Sequence, residues 1–311
     1  MIQDLHELPK LRDSLSYLYV EHAILNQANQ AVEYIRKGEG RVLIPVANLS
    51  SLLLGPGTSI SHAAIKTLAD NGCSVLWVGE EGTHCYAQGL GETRKAYHLL
   101  RQAQLASDPA RRLRVIRRMY EKRFTGALEP GLTLEQIRGK EGARVRAAYY
   151  RLSQEHGIPW IGRRYERGQW ENTDPINRAI SAANALLNGL CHAAIVSGGY
   201  SPALGFIHTG KQLSFVYDIA DLYKVELTVP LAFQITAASK DKVESRVREA
   251  CRQKFKDTRL LEHILPDIDD LLEIHGEPIP DSAGDPDADP ALPEPLWGPP
   301  SPEEEAPPWL S

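Results

Sequence analysis

The chain has 311 residues, of which 42% are hydrophobic and 24% are charged. This composition is typical of a globular protein and excludes fibrous and largely disordered chains. We find neither a run of roughly 20 apolar residues nor the apolar core of a signal peptide in residues 1–10, so we expect a cytoplasmic protein without a membrane partner. The four cysteines are widely spaced and form no C-x-x-C pair, so we expect free thiols.

The formal net charge of −5 is unevenly distributed along the chain. The net charge is −3 over residues 1–90, +7 over residues 91–275 and −9 over residues 276–311. A basic segment favours a polyanionic partner, and acidic tails often occupy or guard such surfaces. We therefore expect the middle of the chain to bind a polyanion.

The first ninety residues are predicted to form strands. Branched and aromatic residues, with Gly or Asn between them, cluster in segments 14–20, 31–34, 41–46 and 74–78. One helix interrupts this pattern, with Ser61 as its cap and Asn71-Gly72 as its stop. The pattern predicts a small β-rich domain with one helix.

From Thr93 onward the hydrophobic period becomes helical. In residues 110–124 we expect one apolar and one basic face, formed by Leu113, Ile116, Tyr120 and Phe124 and by Arg111, Arg114, Arg118 and Lys122. A capping box at Thr133 predicts a helix that runs toward Leu152. Asp174 is the predicted N-cap of a helix over residues 177–196, and two more helices are predicted over residues 243–255 and 260–274.

The last 36 residues differ from the rest. Residues 276–311 contain eleven of the 21 prolines and nine acids but no base. Such a segment cannot bury enough apolar area to offset its ordering entropy, so we expect it to be disordered. The composition thus predicts three parts, with boundaries at 1–91, 92–275 and 276–311.

Glu141 is the most informative single residue. At 100° per residue it falls in the middle of the apolar stripe of its helix, which contains Leu134, Ile137, Val145, Ala148 and Leu152. An unpaired buried carboxylate is too costly to persist, so it needs a metal, a cation or a proton. A buried ion pair with Arg144 or Arg146, or a helix that breaks at Gly139, is the structural alternative. Close approach of a backbone or a ligand would explain Gly139 and Gly142.

A second set of polar residues follows Gly205. If residues 214–223 are helical, Asp218 and Asp221 face the same side, and Phe215 and Leu222 turn Asp218 toward the core. A glutamate, an aspartate and His208 in one helical domain could form an oxygen-rich site with one nitrogen ligand. Such a site suits Mg²⁺ or Mn²⁺ better than zinc. A solvated helix face for the Asp pair, and a histidine that binds no metal, are the alternatives.

An Arg/aromatic cluster lies in a Gly-rich polar loop of the basic region. Arginines pair with phosphates, and aromatic rings stack on unpaired bases. The cluster, which we interpret as a nucleic-acid contact rather than a solvated loop, consists of Arg163, Arg164, Tyr165 and Trp170.

These motifs together resemble the CRISPR adaptation integrase, the universal first Cas protein, and are most similar to its type I-E branch. The resemblance covers about residues 10–275 with gaps. It is carried by Gln136-Ile-Arg-Gly-Lys-Glu-Gly-Ala-Arg-Val-Arg-Ala-Ala-Tyr149, Gly162-Arg-Arg-Tyr165, Gly205-Phe-Ile-His-Thr-Gly-Lys211 and Ser214-Phe-Val-Tyr-Asp-Ile-Ala-Asp221, with support from Gly55-Pro-Gly-Thr, Ser61-His-Ala-Ala and Trp77-Val-Gly-Glu80.

The resemblance implies an α+β chain with an N-terminal β-rich, sandwich-like dimerisation domain and an all-α catalytic domain, followed here by the Pro-rich acidic tail. It implies that Glu141, His208 and Asp218 bind Mg²⁺ or Mn²⁺ and that Asp221 completes or orients this site. The implied reaction is a transesterification that joins the 3′-hydroxyl of a captured DNA fragment to the CRISPR repeat.

The resemblance also implies the partners. Members form homodimers, and two such dimers assemble around a dimer of the small second Cas protein to hold double-stranded DNA with single-stranded 3′ ends. We expect additional DNA contacts from Arg138, Arg144, Arg146, Lys211, Arg248 and His22. His22 stands where relatives carry a tyrosine wedge, with Tyr17 and Tyr19 nearby, so the identity of the wedge is open.

Two other functions are alternatives to an integrase. A structure-specific DNA repair nuclease shares the site but transfers the phosphate to water. A non-catalytic DNA-binding scaffold would use only the basic surface, and it would have no need for Glu141, His208, Asp218 and Asp221 together.

Overall fold

The computed structural model describes residues 16–274 except for residues 30, 37, 39, 47–48, 81–84, 90–96, 125–127, 130 and 164–172. A β-rich region comes first and a helical region follows, which confirms the predicted fold class. The boundary predicted between residues 91 and 92 lies outside the described residues. So do Arg164, Tyr165, Trp170 and the predicted tail.

In the part of the chain that the structure describes, the strands form two four-stranded sheets. Their bounds are β1 Ser16–Val20, β2 Ile24–Ala28, β3 Ala31–Arg36, β4 Gly40–Ile44, β5 Leu49–Leu54, β6 Ser59–Ile60, β7 Ser74–Val78 and β8 Cys85–Gly89. The order is β1-β5-β7-β8 in one sheet and β4-β3-β2-β6 in the other. Pairings β1–β5, β5–β7 and β2–β6 are parallel, and the other pairings are antiparallel. The strand predictions missed β2, β5, β6 and β8.

Helix α1, His62–Asp70, contacts strands of both sheets. The Ser61 side chain accepts a hydrogen bond from the Ala64 amide, which confirms the predicted cap. One buried core joins the two sheets and the helix, and its members include Leu25, Val32, Leu52 and Leu68. The β-rich region is therefore a sandwich with a helix packed on its strands.

The helical region consists of α2 Tyr97–Ser107, α3 Pro109–Glu121, α4 Leu134–His156, α5 Pro175–Ser197, α6 Ser214–Ala220, α7 Val229–Ala238, α8 Val243–Asp257 and α9 Leu260–Leu272. A π-helical turn, Lys224–Thr228, joins α6 to α7. The capping box of Thr133 and Gln136 and the N-cap of Asp174 are both present, as predicted.

Helix α5 is the central element of this region. It contacts α6, α7, α8 and α9 and also reaches β5 and β7. Its length and apolar composition would suffice to cross a membrane, but 78% of its most apolar window is buried inside the protein. An apolar helix that is enclosed on all sides is expected for the core of a large domain. We therefore assign α5 as a core helix.

The predicted apolar face of α3 was partly wrong. The buried residues of this helix are Val115, Ile116, Met119 and Tyr120, whereas Leu113 is 41% exposed. The buried stripe is rotated toward Val115 and Met119, because α3 packs against α2, α4 and α9 together.

Helix α4 runs unbroken from Leu134 to His156, so the chain does not break at Gly139. A Cβ at Gly139 would meet no described atom within 4 Å, and a Cβ at Gly142 would meet only the Arg146 side chain. Among the described residues no neighbouring backbone explains these glycines, and the close approach of a ligand stays a prediction.

Candidate active site

The carboxylate of Asp218 on α6 is fully buried and accepts four hydrogen bonds. Oδ2 accepts from the amides of Phe206 at 2.6 Å and Ile207 at 3.0 Å. Oδ1 accepts from the amide of His208 at 2.9 Å and from its ring Nδ1 at 2.7 Å. A carboxylate offers about four lone-pair positions, so these donors saturate it. Asp218 therefore fixes the loop that carries His208, and its role as a metal ligand stays a prediction.

His208 uses its ring nitrogen Nδ1 for the bond to Asp218. The other ring nitrogen, Nε2, has no partner among the described residues. The His208 side chain is 44% exposed. The hydrogen bond to Asp218 raises the pKa of His208, and partial burial opposes this effect. Carboxylates commonly hold one nitrogen of a histidine in this way while the other binds a metal. The geometry thus suits His208 for metal binding through Nε2.

Glu141 points into the protein, as predicted, and its side chain is only 13% exposed. Its two oxygens accept a forked pair of bonds from Arg144, at 2.8 Å from Nε and 3.0 Å from Nη2. The guanidinium of Arg123 lies 3.6 Å from Oε1. The ion pair with Arg144, which was the alternative reading of this residue, is therefore present, and Arg146 takes no part in it.

Arg123 is a site residue that the sequence did not reveal. Its side chain is 4% exposed and follows the C-terminus of α3. Nη1 lies 3.6 Å from Glu141 and 4.0 Å from Oδ2 of Asp221, and Nη2 donates to the Asp218 carbonyl at 3.3 Å. The other oxygen of Asp221 accepts from Lys224 at 2.7 Å. The buried guanidinium of Arg123 thus lies beside Glu141 and Asp221. These are the two predicted site acids that, unlike Asp218, are not saturated by backbone amides.

The side chains around Arg123 are of the types that bind a hard divalent cation. Carboxylate oxygens of Glu141 and Asp221, with the imidazole of His208, are ligands that Mg²⁺ and Mn²⁺ accept. Within the described ranges, however, no three His, Cys, Asp or Glu side chains already stand in a metal-binding arrangement. Arg144 and Arg123 neutralise the acids instead. The residue types present therefore suit a divalent ion, whereas in this structure Arg144 occupies the Glu141 carboxylate.

The residues predicted to contact DNA lie in different environments. Arg138 and Arg146 on α4, and Lys211 in the loop before α6, are exposed, whereas Arg248 on α8 is half-buried. Arg163 donates to the Asn177 carbonyl at 3.3 Å and to the Ser181 hydroxyl at 3.1 Å, so it holds the start of α5. His22 is exposed in the β1–β2 turn, far along the chain from these residues.

Comparison with known proteins identifies the family. The family model described as CRISPR associated protein Cas1 matches residues 16–129 and 121–254. The CRISPR-associated endonuclease Cas1 2 of Thermus thermophilus is 54% identical over 295 residues, which is 95% of this chain and 90% of that protein. The chain belongs to the Cas1 family.

Two further relatives support this membership. The CRISPR-associated endonuclease Cas1 of Geobacter sulfurreducens is 44% identical over 270 residues, covering 87% of this chain and 88% of that Cas1. The crystal structure of a TtCas1–DNA complex superimposes with a TM-score of 0.75 at 56% identity and covers 85% of this chain and 99% of the TtCas1 chain. The similarity to Cas1 proteins thus extends over both the sheets and the helices.

Proposed function

We propose that this chain is a divalent-metal-dependent DNA endonuclease and integrase of CRISPR spacer acquisition. In this reaction the 3′-hydroxyl of a captured DNA fragment attacks a phosphodiester of the CRISPR repeat. A phosphodiester bond to the fragment forms as the bond within the repeat strand breaks. The observation that carries the proposal is that one buried guanidinium, that of Arg123, contacts Glu141, Asp221 and the backbone of Asp218 in a chain of the Cas1 family.

We assign Glu141, His208 and Asp221 as the metal ligands, with Asp218 as the residue that orients His208. The saturated hydrogen bonding of Asp218 favours this assignment over the one based on the sequence. When bound, Mg²⁺ or Mn²⁺ lowers the pKa of the 3′-hydroxyl and neutralises charge on the transferring phosphate. Asp218 keeps the proton of His208 on Nδ1, so Nε2 carries a lone pair.

Arg123 and Arg144 keep the acidic site neutral before the reaction. Two carboxylates beside each other repel, and a buried guanidinium between them offsets that cost. Arg144 forms its pair at a partly exposed position, so it can exchange Glu141 for a DNA phosphate, which arginine binds with the same forked geometry. Arg123 is enclosed and stays with the acids.

The proposed partners are double-stranded DNA with single-stranded 3′ ends, CRISPR repeat DNA, a second copy of this chain and the small second Cas protein, in a complex of two homodimers around one partner dimer. The basic charge of residues 91–275 and the TtCas1–DNA complex of a relative support DNA binding. The sequence motifs support placement in the type I-E branch. The four free cysteines agree with action in the cytoplasm.

A repair nuclease is the competing function, and the family match does not favour it. The two are separated by incubating a supercoiled plasmid that carries a CRISPR repeat with Mn²⁺, the second Cas protein and end-labelled DNA. An integrase transfers the label to the plasmid from DNA with a 3′-hydroxyl end but not from DNA with a 3′-deoxy end. A nuclease that uses water cuts the plasmid equally with either end and joins neither.

A further inference from the structure

A buried amide from α2 holds the loop that leads to His208. Gln102 is fully buried. Its Nε2 donates to the carbonyls of Ser201 at 2.9 Å and Leu204 at 3.0 Å, and its Oε1 accepts from the Ser201 amide at 2.8 Å. A single side chain thus satisfies three backbone groups of an irregular segment, which buried backbone requires.

An arginine from α3 holds the next part of the same loop. Arg112 donates from Nε at 2.9 Å and from Nη2 at 2.6 Å to the carbonyl of Phe206. The amide of Phe206 donates to Asp218 on the other side. The Phe206 residue is therefore fixed from two directions, by a cation on its carbonyl and by a carboxylate on its amide.

The loop is closely packed at Gly205. A Cβ at Gly205 would overlap the carbonyl oxygen of His208 and would lie 2.7 Å from the Cβ of Ser214. The amide of Phe215 at the start of α6 donates to the Pro202 carbonyl at 2.9 Å. The loop therefore folds back on itself between α6 and the α2–α3 pair.

We infer that Gln102 and Arg112 are positioning residues of the reaction, which set the place of His208 relative to Asp218. This inference rests on the proposed role of His208 at the metal. Asp218 accepts three backbone amides of this loop, so a shift of the loop moves the amides and the imidazole together. The α2–α3 pair thereby determines whether Nε2 of His208 faces Glu141 and Asp221.

The test replaces each side chain with an unbranched one that donates no hydrogen bond, Gln102→Met and Arg112→Met. The matched control is Gln104→Met on the exposed side of α2, where the side chain accepts a hydrogen bond from Arg101. Arg112→Lys keeps the charge and one donor. In the full-length protein we would measure amide exchange of residues 202–210, Mn²⁺ affinity by electron paramagnetic resonance, and kcat and KM for strand transfer.

The inference predicts faster exchange in residues 202–210 and unchanged exchange in α5 for both methionine variants. Residues that orient metal ligands typically contribute about 10- to 100-fold to affinity or activity, so we expect Mn²⁺ affinity and kcat to fall by this factor while KM for DNA is kept. Arg112→Lys should recover part of the loss, and Gln104→Met should behave as the parent protein.

Two results would overturn the inference. One is parental exchange and parental kcat in both methionine variants. The other is faster exchange throughout the helical region with no recovery in Arg112→Lys, because that pattern indicates global destabilisation. If the parent protein itself joins no DNA, the proposed function fails, and exchange and Mn²⁺ affinity then decide the positioning role separately.

Discussion

The guanidinium of Arg144 donates two parallel hydrogen bonds to the carboxylate of Glu141, one turn earlier on α4. The pair is partly buried, with 23% of the Arg144 side chain and 13% of the Glu141 side chain exposed. In the proposed function a divalent ion binds through the same carboxylate. Arg144 and the ion would therefore compete for Glu141.

Removal of this competitor should strengthen metal binding. We expect Arg144→Gln to bind Mn²⁺ about 1 kcal/mol more tightly, or roughly fivefold in Kd, since a partly exposed ion pair has a free energy of this order. Isothermal titration with Mn²⁺ measures the change. Arg151→Gln, an exposed position on the same helix, is the control. Equal or weaker Mn²⁺ binding by Arg144→Gln would show that the two do not compete.

The pair of His208 and Asp218 should make stability depend on pH. The hydrogen bond to Asp218 raises the folded pKa of His208 above its ordinary value of 6.5. Protonated His208 therefore stabilises the fold fully below about pH 6.5, and this stabilisation is lost as the pH rises through the folded pKa.

We expect His208→Gln to lower the free energy of unfolding by about 1 kcal/mol more at pH 5.5 than at pH 8.5, a value reduced for the exposure of the ring. Urea unfolding at the two pH values gives the difference. His62→Gln on the exposed side of α1 serves as the control. An equal loss at both pH values would mean that the ion pair does not form.

Local sequence signals predicted much of the fold and part of the site. The capping box at Thr133, the cap at Asp174 and the inward direction of Glu141 and Asp218 all follow from spacing within one helix, and the structure has them. Such features depend on residues a few positions apart. They can therefore be read without knowledge of the tertiary structure.

The rest depends on contacts between distant segments. Gln102 and Arg112 occupy helix positions where polar residues are ordinary, and Arg123 follows the end of α3. The partners of all three lie about 20 to 100 residues away in sequence. The contacts of Asp218 could not be predicted for a related reason, because three of its four donors are backbone amides, which no side-chain pattern reveals. Strand β5, a buried run without alternation, was missed because periodicity alone does not identify it.

Gly205 should tolerate no larger residue. A Cβ there overlaps the His208 carbonyl oxygen, so we expect Gly205→Ala to lower the free energy of unfolding by about 1–3 kcal/mol and to abolish strand transfer. Gly139→Ala on α4 has open space and should instead stabilise the protein by about 1 kcal/mol. Denaturant unfolding of the two variants checks both values. A Gly205→Ala protein as stable as the parent would contradict the described loop.

Arg146 should contribute to DNA binding without contributing to chemistry. It is exposed on α4, so we expect Arg146→Gln to weaken binding of a duplex and to reduce the slope of log K against log salt by about 1. Fluorescence anisotropy at several salt concentrations measures the slope. Lys66→Gln on α1, which removes a charge that pairs with Asp70, should leave the slope unchanged. An unaltered slope in Arg146→Gln would remove this residue from the DNA surface.

The joining reaction itself tests the central assignment most directly. End-labelled DNA with a 3′-hydroxyl, a supercoiled plasmid with a CRISPR repeat, the second Cas protein and Mn²⁺ are incubated with the parent protein, Asp221→Asn or Asp218→Asn. DNA affinity is measured in parallel. We expect the parent to transfer the label and Asp221→Asn to lose more than about 100-fold in rate, whereas Asp218→Asn should lose about 10- to 100-fold, the effect of residues that only orient ligands, with DNA affinity retained in both. Label transfer by Asp221→Asn at the parental rate would contradict the assignment of the site.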